Sequence, residues 1–190
     1  MRSLALLLVV CFIGCLTTAE RSDKRICKNL SKEVRLKIDT LKEGFVEGEV
    51  VGISGQDSEQ YQRYRFLRDN TKEADLIKLT DYSRPNVRCY AFQGLVWKKS
   101  PKVREILEKH LSDTTAVIYM WGCVGDYYTT FDYMLRVASE RYHNPYVLMD
   151  SVETIKLRNR HLKIIGNGSH RFTVECHLNL KVEEIDSLRN

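Results

Sequence analysis

The stretch TTAVIYMWGCVGDY, Thr114–Tyr127, is the part of the chain on which the reading of the fold turns. Its first four residues end in Val117. Two other turns end in valine at the same interval, RPNV at Val87 and NPYV at Val147, each 30 residues from the next. A mainly apolar run comes after every turn: RCYAFQGLVW, IYMWGCVGDY and LMDSVETIKL. A fixed period changes the meaning of every residue inside it, so the run after Val117 is read with its neighbours as a second helix.

The segments ahead of the turns repeat as well. ADLIKL from Ala74, REILEK from Arg104 and MLRVAS from Met134 start 30 residues apart and place Ile77, Leu107 and Val137 at one shared position. Helical spacing puts Leu76, Ile77 and Leu79 on an apolar face, with Lys72, Glu73 and Lys78 toward water. Pro85 disfavours a helical Arg84 and fits the first turn of a second helix. Val87, Ala91, Gly94 and Leu95 then line that helix, with Ala91 and Gly94 small where two helices approach.

The next unit starts at Ser100-Pro101, an N-cap followed by proline. Val103, Ile106, Leu107 and Leu111 form its first face and Val117, Trp121 and Val124 its second. A third runs from Thr130 through Phe131, Met134, Leu135 and Val137 to the Asn144-Pro145 turn, then Val147, Leu148, Ser151, Val152 and Ile155.

Pro85, Val87, Arg88, Ala91 and Leu95 together resemble the short HEAT-like repeat of the PBS-lyase type. EQYQRY, LIKLT and NVRCYAF are also similar to exported bacterial HEAT-like proteins. The later copies depart from the pattern: Ile118 and Leu148 replace the arginine, Trp121 and Ser151 the alanine. The resemblance covers Glu73 to Leu157 and implies a mainly all-α fold, a short α-solenoid of stacked hairpins.

Outside the repeats, NLSKEVRLKIDTLK places Leu30, Val34, Ile38 and Leu41 on one side of a helix, and the glycine-rich EGFVEGEVVGISGQDS reads as an irregular connection. Beyond Arg158, an Asn-Gly signal and the alternation of Phe172, Val174 and Cys176 suggest a small β-hairpin or irregular C-terminal cap. The organisation expected is a leader over 1–19, an N-terminal helix and connection over 20–57, repeats over 58–157 and a cap over 158–190.

The leader has Arg2, an apolar core from Leu4 to Ile13, and Thr17-Thr18-Ala19 before Glu20, the pattern of a secretory signal. FIGC, ending at Cys15, resembles a bacterial lipobox and offers lipidation at Cys15 as the alternative to cleavage after Ala19. Export to the periplasm, envelope or medium is expected, with membrane contact only through such an anchor. Cleavage leaves Cys27, Cys89, Cys123 and Cys176, which permit three full pairings. Cys89 and Cys123 lie in apolar segments and are expected as buried thiols, while a Cys27–Cys176 bond would tie the termini.

No converging catalytic set appears, and no cofactor or metal is expected. His161, His170, Cys176 and His177, beside Glu175, match no strong metal-ligand spacing and support only a second reading, a small hydrolase or metal-dependent protein. Arg88 beside Cys89 could lower a thiol pKa, but the repeat gives that arginine a structural role. A basic cluster of Arg84, Arg88, Lys98, Lys99, Lys102 and Arg104 suits phosphate contacts, a third reading, yet Glu105 and Glu108 interrupt it and the leader disfavours nucleic acid. The leading expectation is a non-catalytic scaffold for an unidentified protein partner, with Arg84, Lys98, Lys99, Tyr127 and Tyr128 as contact candidates.

Overall fold

The computed structural model describes residues 18–139 and 146–165 and shows a mixed α/β fold. Helix α1 (18–26) and a 3-10 turn at Cys27–Asn29 lead to α2 (Lys32–Asp39), β1 (Phe45–Val51) and β2 (Gln56–Asp57). Four helices follow: α3 (Glu59–Asn70), α4 (Glu73–Leu79), α5 (Pro85–Trp97) and α6 (Val103–Lys109). The chain then makes β3 (Ala116–Gly122), β4 (Val124–Thr129), α7 (Thr130–Ser139) and α8 (Ser151–Ile165). The strands lie in the order β2-β1-β3-β4, with β1 and β3 parallel and the outer pairs antiparallel.

The first helical hairpin forms as its residues dictate. Pro85 occupies the start of α5, where its missing N–H costs nothing, and Leu76 and Leu79 of α4 are buried against it. A Cβ on Gly94 would stand 3.3 Å from Leu76 Cδ1, so the glycine permits the close crossing. Every residue of α5 from Asn86 to Val96 is buried, which makes it the central helix of the domain. Upstream, Ser31 caps α2 by accepting from the Val34 amide, and Leu30, Val34, Ile38 and Leu41 fill one side of the core as expected.

The all-α solenoid is overturned at TTAVIYMWGCVGDY. Val117, Ile118 and Tyr119 belong to β3, not to a second helix, and pair with Tyr128, Tyr127 and Asp126 of β4. The physical reason is local. β-branched and aromatic side chains suit a pleated strand, whereas a helix here would carry Gly122 and Gly125 in its interior. Gly122, at φ +57, and Cys123 form a two-residue hairpin turn of the glycine-first kind. The four- and three-residue steps from Val117 to Trp121 to Val124 therefore only imitate a helical face.

The 30-residue interval consequently joins unlike places. Val87 lies in α5, Val117 in β3 and Val147 in the irregular chain before α8. The first segments of the second and third units do become α6 and α7, with Ile106, Leu107, Phe131, Met134, Leu135 and Val137 buried. In α8, however, Val152 is exposed, and Thr154, Leu157 and His161 turn inward. The Asn144-Pro145 turn lies outside the described residues.

The stretch read as an irregular connection supplies β1 and β2. Gly44, Gly52 and Gly55 all adopt positive φ at the strand ends. Along β1 and β3 the side chains alternate: Val46, Val117 and Tyr119 are buried, while Phe45, Ile118 and Met120 are half-buried. α3, α5 and α7 pack against the sheet, joined by a tyrosine seam in which Tyr64 stacks on Tyr90 at 5.1 Å and Tyr133 meets Tyr119 at 5.9 Å.

Candidate binding surface at the end of the sheet

The two hairpin turns lie together. The Gly52 amide donates to the Gly122 carbonyl at 2.8 Å, which ties the Gly52–Gly55 turn to the Gly122–Cys123 turn. Ile53, at the first turn, is 97% exposed; Trp121 and Val124, paired across the second, are 42% and 56% exposed. Large apolar side chains projecting together from one end of a sheet mark a contact surface more strongly than the same residues scattered. Trp121 crosses β1 at Gly48, where a Cβ would stand 2.7 Å from its Cδ1.

Charge sets this end apart. Of the 30 lysines and arginines, none falls within residues 43–62 or 110–135, the segments that build the sheet. The exposed charges on the strands are Glu49, Asp57 and Asp126. An apolar tip rimmed by carboxylates on a chain of net charge +5 is a marked asymmetry of field.

The two long edges of the sheet differ. On the far side of β1, the Gln60 side chain accepts from the Lys42 amide at 2.6 Å and donates to the Phe45 carbonyl. The Tyr90 hydroxyl accepts from the Glu47 amide at 2.7 Å and donates to its carbonyl at 3.3 Å, and β2 covers the rest. On β4, no strand among the described residues pairs with the side away from β3.

The residues favoured by the sequence do not form one patch. Arg84 is the N-cap residue of α5, and its guanidinium donates to the Ile38 and Leu41 carbonyls, so it closes the end of α2. Lys98 and Lys99 lie at the other end of α5, about 20 Å away by helical rise. Lys99 adopts φ +56 and sets its ammonium 3.8 Å from the Tyr146 ring centroid. Tyr128 is half-buried, hydrogen-bonded by Arg136 and covered by its guanidinium at 5.2 Å. Tyr127 and Tyr128 both lie on β4, and of the two Tyr127 is exposed, at 54%. Cys15 lies outside the described residues.

The chemical candidates separate in the same way. His161 is buried in α8, its ring tilted against Phe131 at 4.4 Å with Nδ1 at the Leu111 carbonyl. His170, Glu175, Cys176 and His177 lie outside the described residues, among which no metal-binding group of three occurs. Burial pushes the Cys89 thiol well up, the reverse of an activated nucleophile, and Cys27 is raised by the same cause. Cys123, expected inside, is exposed at the hairpin turn.

Arg88 serves the structure. It donates to the Tyr82 and Ser83 carbonyls at 2.9 and 2.7 Å and pairs with Asp113 at 3.0 Å. Burial alone would raise the Asp113 carboxyl, but hydrogen bonding at His110, the Arg88 charge and the Thr115 donors overcome it and hold it at about 2.

Ile53 and Val124 carry no sign in the sequence of being contact residues, and Trp121 reads there as core. The signals that could have found them are the two glycine turns and the absence of cations around them. No family model matches the chain, and neither a curated protein nor a solved structure matches it. Among the described residues, no helix is long and apolar enough to cross a membrane.

Proposed function

We propose that the chain is a non-catalytic, exported binding module that engages a protein partner through the joined hairpin turns. The observation carrying this reading is the grouping of Ile53, Trp121 and Val124 at one sheet end, where the Gly52–Gly122 hydrogen bond fixes the two turns together. Aromatic and aliphatic side chains held on a rigid edge lose little freedom on contact. Export rests on the leader over residues 1–19.

Glu49, Asp57 and Asp126 favour a partner surface with an apolar cleft flanked by cations. The test compares the intact protein with an Ile53→Ser/Val124→Ser variant in capture from the native cell envelope, followed by affinity measurement with the purified partner. The variant should keep its melting temperature and lose at least tenfold in affinity. Equal binding by both proteins would refute the assignment, and the mature N-terminus read by mass spectrometry tests export.

A further inference from the structure

We infer that the outward side of α8 seats the protein on an anionic phospholipid surface, with an apolar stripe entering the headgroup boundary and lysines meeting the phosphates. This is a second contact, separate from the hairpin turns, and it needs no lipid anchor.

Two apolar sides run along α8, SVETIKLRNRHLKII. Thr154, Leu157 and His161 face the core, where the His161 ring lies tilted against Phe131 at 4.4 Å. Val152, Ile155, Asn159 and Leu162 follow steps of three, four and three residues and fall on the other side of the helix. Val152 is 44% and Leu162 41% exposed, and Ile155 is half-buried. A surface helix ordinarily turns a polar side to water opposite its buried one. Here that side carries an apolar stripe as well, which the core of the domain does not use.

Charge decides what the stripe takes. α8 contains Lys156, Arg158, Arg160 and Lys163 against a single acid, Glu153. Glu153 pairs with Arg104 at 2.9 Å and Arg160 with Glu108 at 2.7 Å, so the acid is engaged at α6, to which both ion pairs hold the helix. Lys156 and Lys163, both exposed, flank the stripe. A basic amphipathic helix with aliphatic side chains beside its cations lies in the plane of an anionic membrane, because apolar burial drives entry and each cation adds attraction to phosphate. A second copy on the same face would set lysines against lysines across a two-fold axis. The field of the whole chain points the same way. Residues 43–62 and 110–135 hold no lysine or arginine, and the exposed strand charges are Glu49, Asp57 and Asp126. An anionic surface therefore attracts α8 and repels the sheet.

Co-sedimentation tests the inference on the mature chain from Glu20, which begins past Cys15 and carries no lipid. Vesicles of phosphatidylglycerol and phosphatidylcholine in equal parts are compared with vesicles of phosphatidylcholine alone. The chain should bind the first and not the second, and high salt should release it. Lys156→Gln/Lys163→Gln should weaken binding roughly 25-fold, about fivefold for each cation. Val152→Ser/Leu162→Ser should weaken it about tenfold or more, with the melting temperature of both variants unchanged. The Ile53→Ser/Val124→Ser variant should bind vesicles as the unaltered chain does, so failure at the hairpin turns and failure at α8 are read separately. Equal binding to both vesicles, binding to neither, or indifference to both α8 variants overturns the inference. Loss in the lysine variant alone would show attraction to a polyanion without entry. Dimers removed by the serine variant would assign the stripe to a second copy, and a lowered melting temperature of that variant would assign it to residues 166–190. Each of these three results also overturns the inference.

Discussion

Gly48 and Trp121 fit together as floor and cover: a single added Cβ on the glycine would lie 2.7 Å from the indole Cδ1 and 3.0 Å from the Tyr119 hydroxyl. Gly48 is buried, so its missing side chain is the space in which Trp121 lies. Gly48→Ala must displace the indole or spread β1 from β3. The expected cost is about 1–3 kcal/mol, the range for overpacking a filled site. Denaturant unfolding measures the loss, and a red shift of tryptophan emission reports the moved ring; an unchanged midpoint and spectrum would disprove the fit.

Arg84 illustrates a residue whose charge suggests contact and whose geometry says scaffold. Its guanidinium holds the Ile38 and Leu41 carbonyls, the second at 3.1 Å; the Leu41 amide also bonds the Ile38 carbonyl at 3.2 Å, so Arg84→Ala takes the guanidinium donor from the Leu41 carbonyl and leaves Ile38 its main-chain one. A loss of about 1–3 kcal/mol in urea is expected, with partner affinity unchanged once the protein is folded. A variant of normal stability and weakened binding would return Arg84 to the contact surface.

Asp113 makes a pH prediction with a definite sign. Its carboxyl titrates at about 2 in the folded chain against an ordinary 3.8, so the folded state favours the charged form. The stability it contributes is present above pH 3.8 and disappears as pH falls through about 2. Asp113→Asn should therefore be less stable at neutral pH, and the gap to the unaltered chain should close across that acid interval. Urea midpoints measured across it decide the matter; a constant gap would exclude the linkage.

The thiols predict a clean ranking. Cys123 is exposed at the hairpin turn, Cys27 is half-buried beside Tyr82, and Cys89 is buried in α5. Iodoacetamide labelling of the native protein, mapped by peptide mass, should modify Cys123 first, Cys27 more slowly and Cys89 only on unfolding. Early labelling of Cys89 would contradict its place in the core.

The helical part of the fold was legible where one segment carries its own signals. Pro85 marks the start of α5, Gly94 marks the close crossing of α4, and Leu30, Val34, Ile38 and Leu41 name the buried side around α2. The sheet was hidden because its strands are short and interrupted. Glycines at 44, 48, 52 and 55 blur the alternation of β1, and valine and tryptophan in the β3–β4 hairpin fall on helical spacing by coincidence.

The contact surface was less legible still. Tyr127 could be named from sequence, but Ile53 and Trp121 become neighbours only when Gly52 donates to Gly122. That bond joins two turns far apart in the chain, and no local pattern encodes it. Propensity, caps and turns act over a few residues, and around α2, α4 and α5 these the sequence determined by itself: that the segments coil and which of their sides are apolar. The parallel pairing of β1 with β3 places Phe45 against Ile118 and Val46 against Tyr119. Only the tertiary structure decided that register, because burying one face of both strands under α3, α5 and α7 is a gain no segment can make alone.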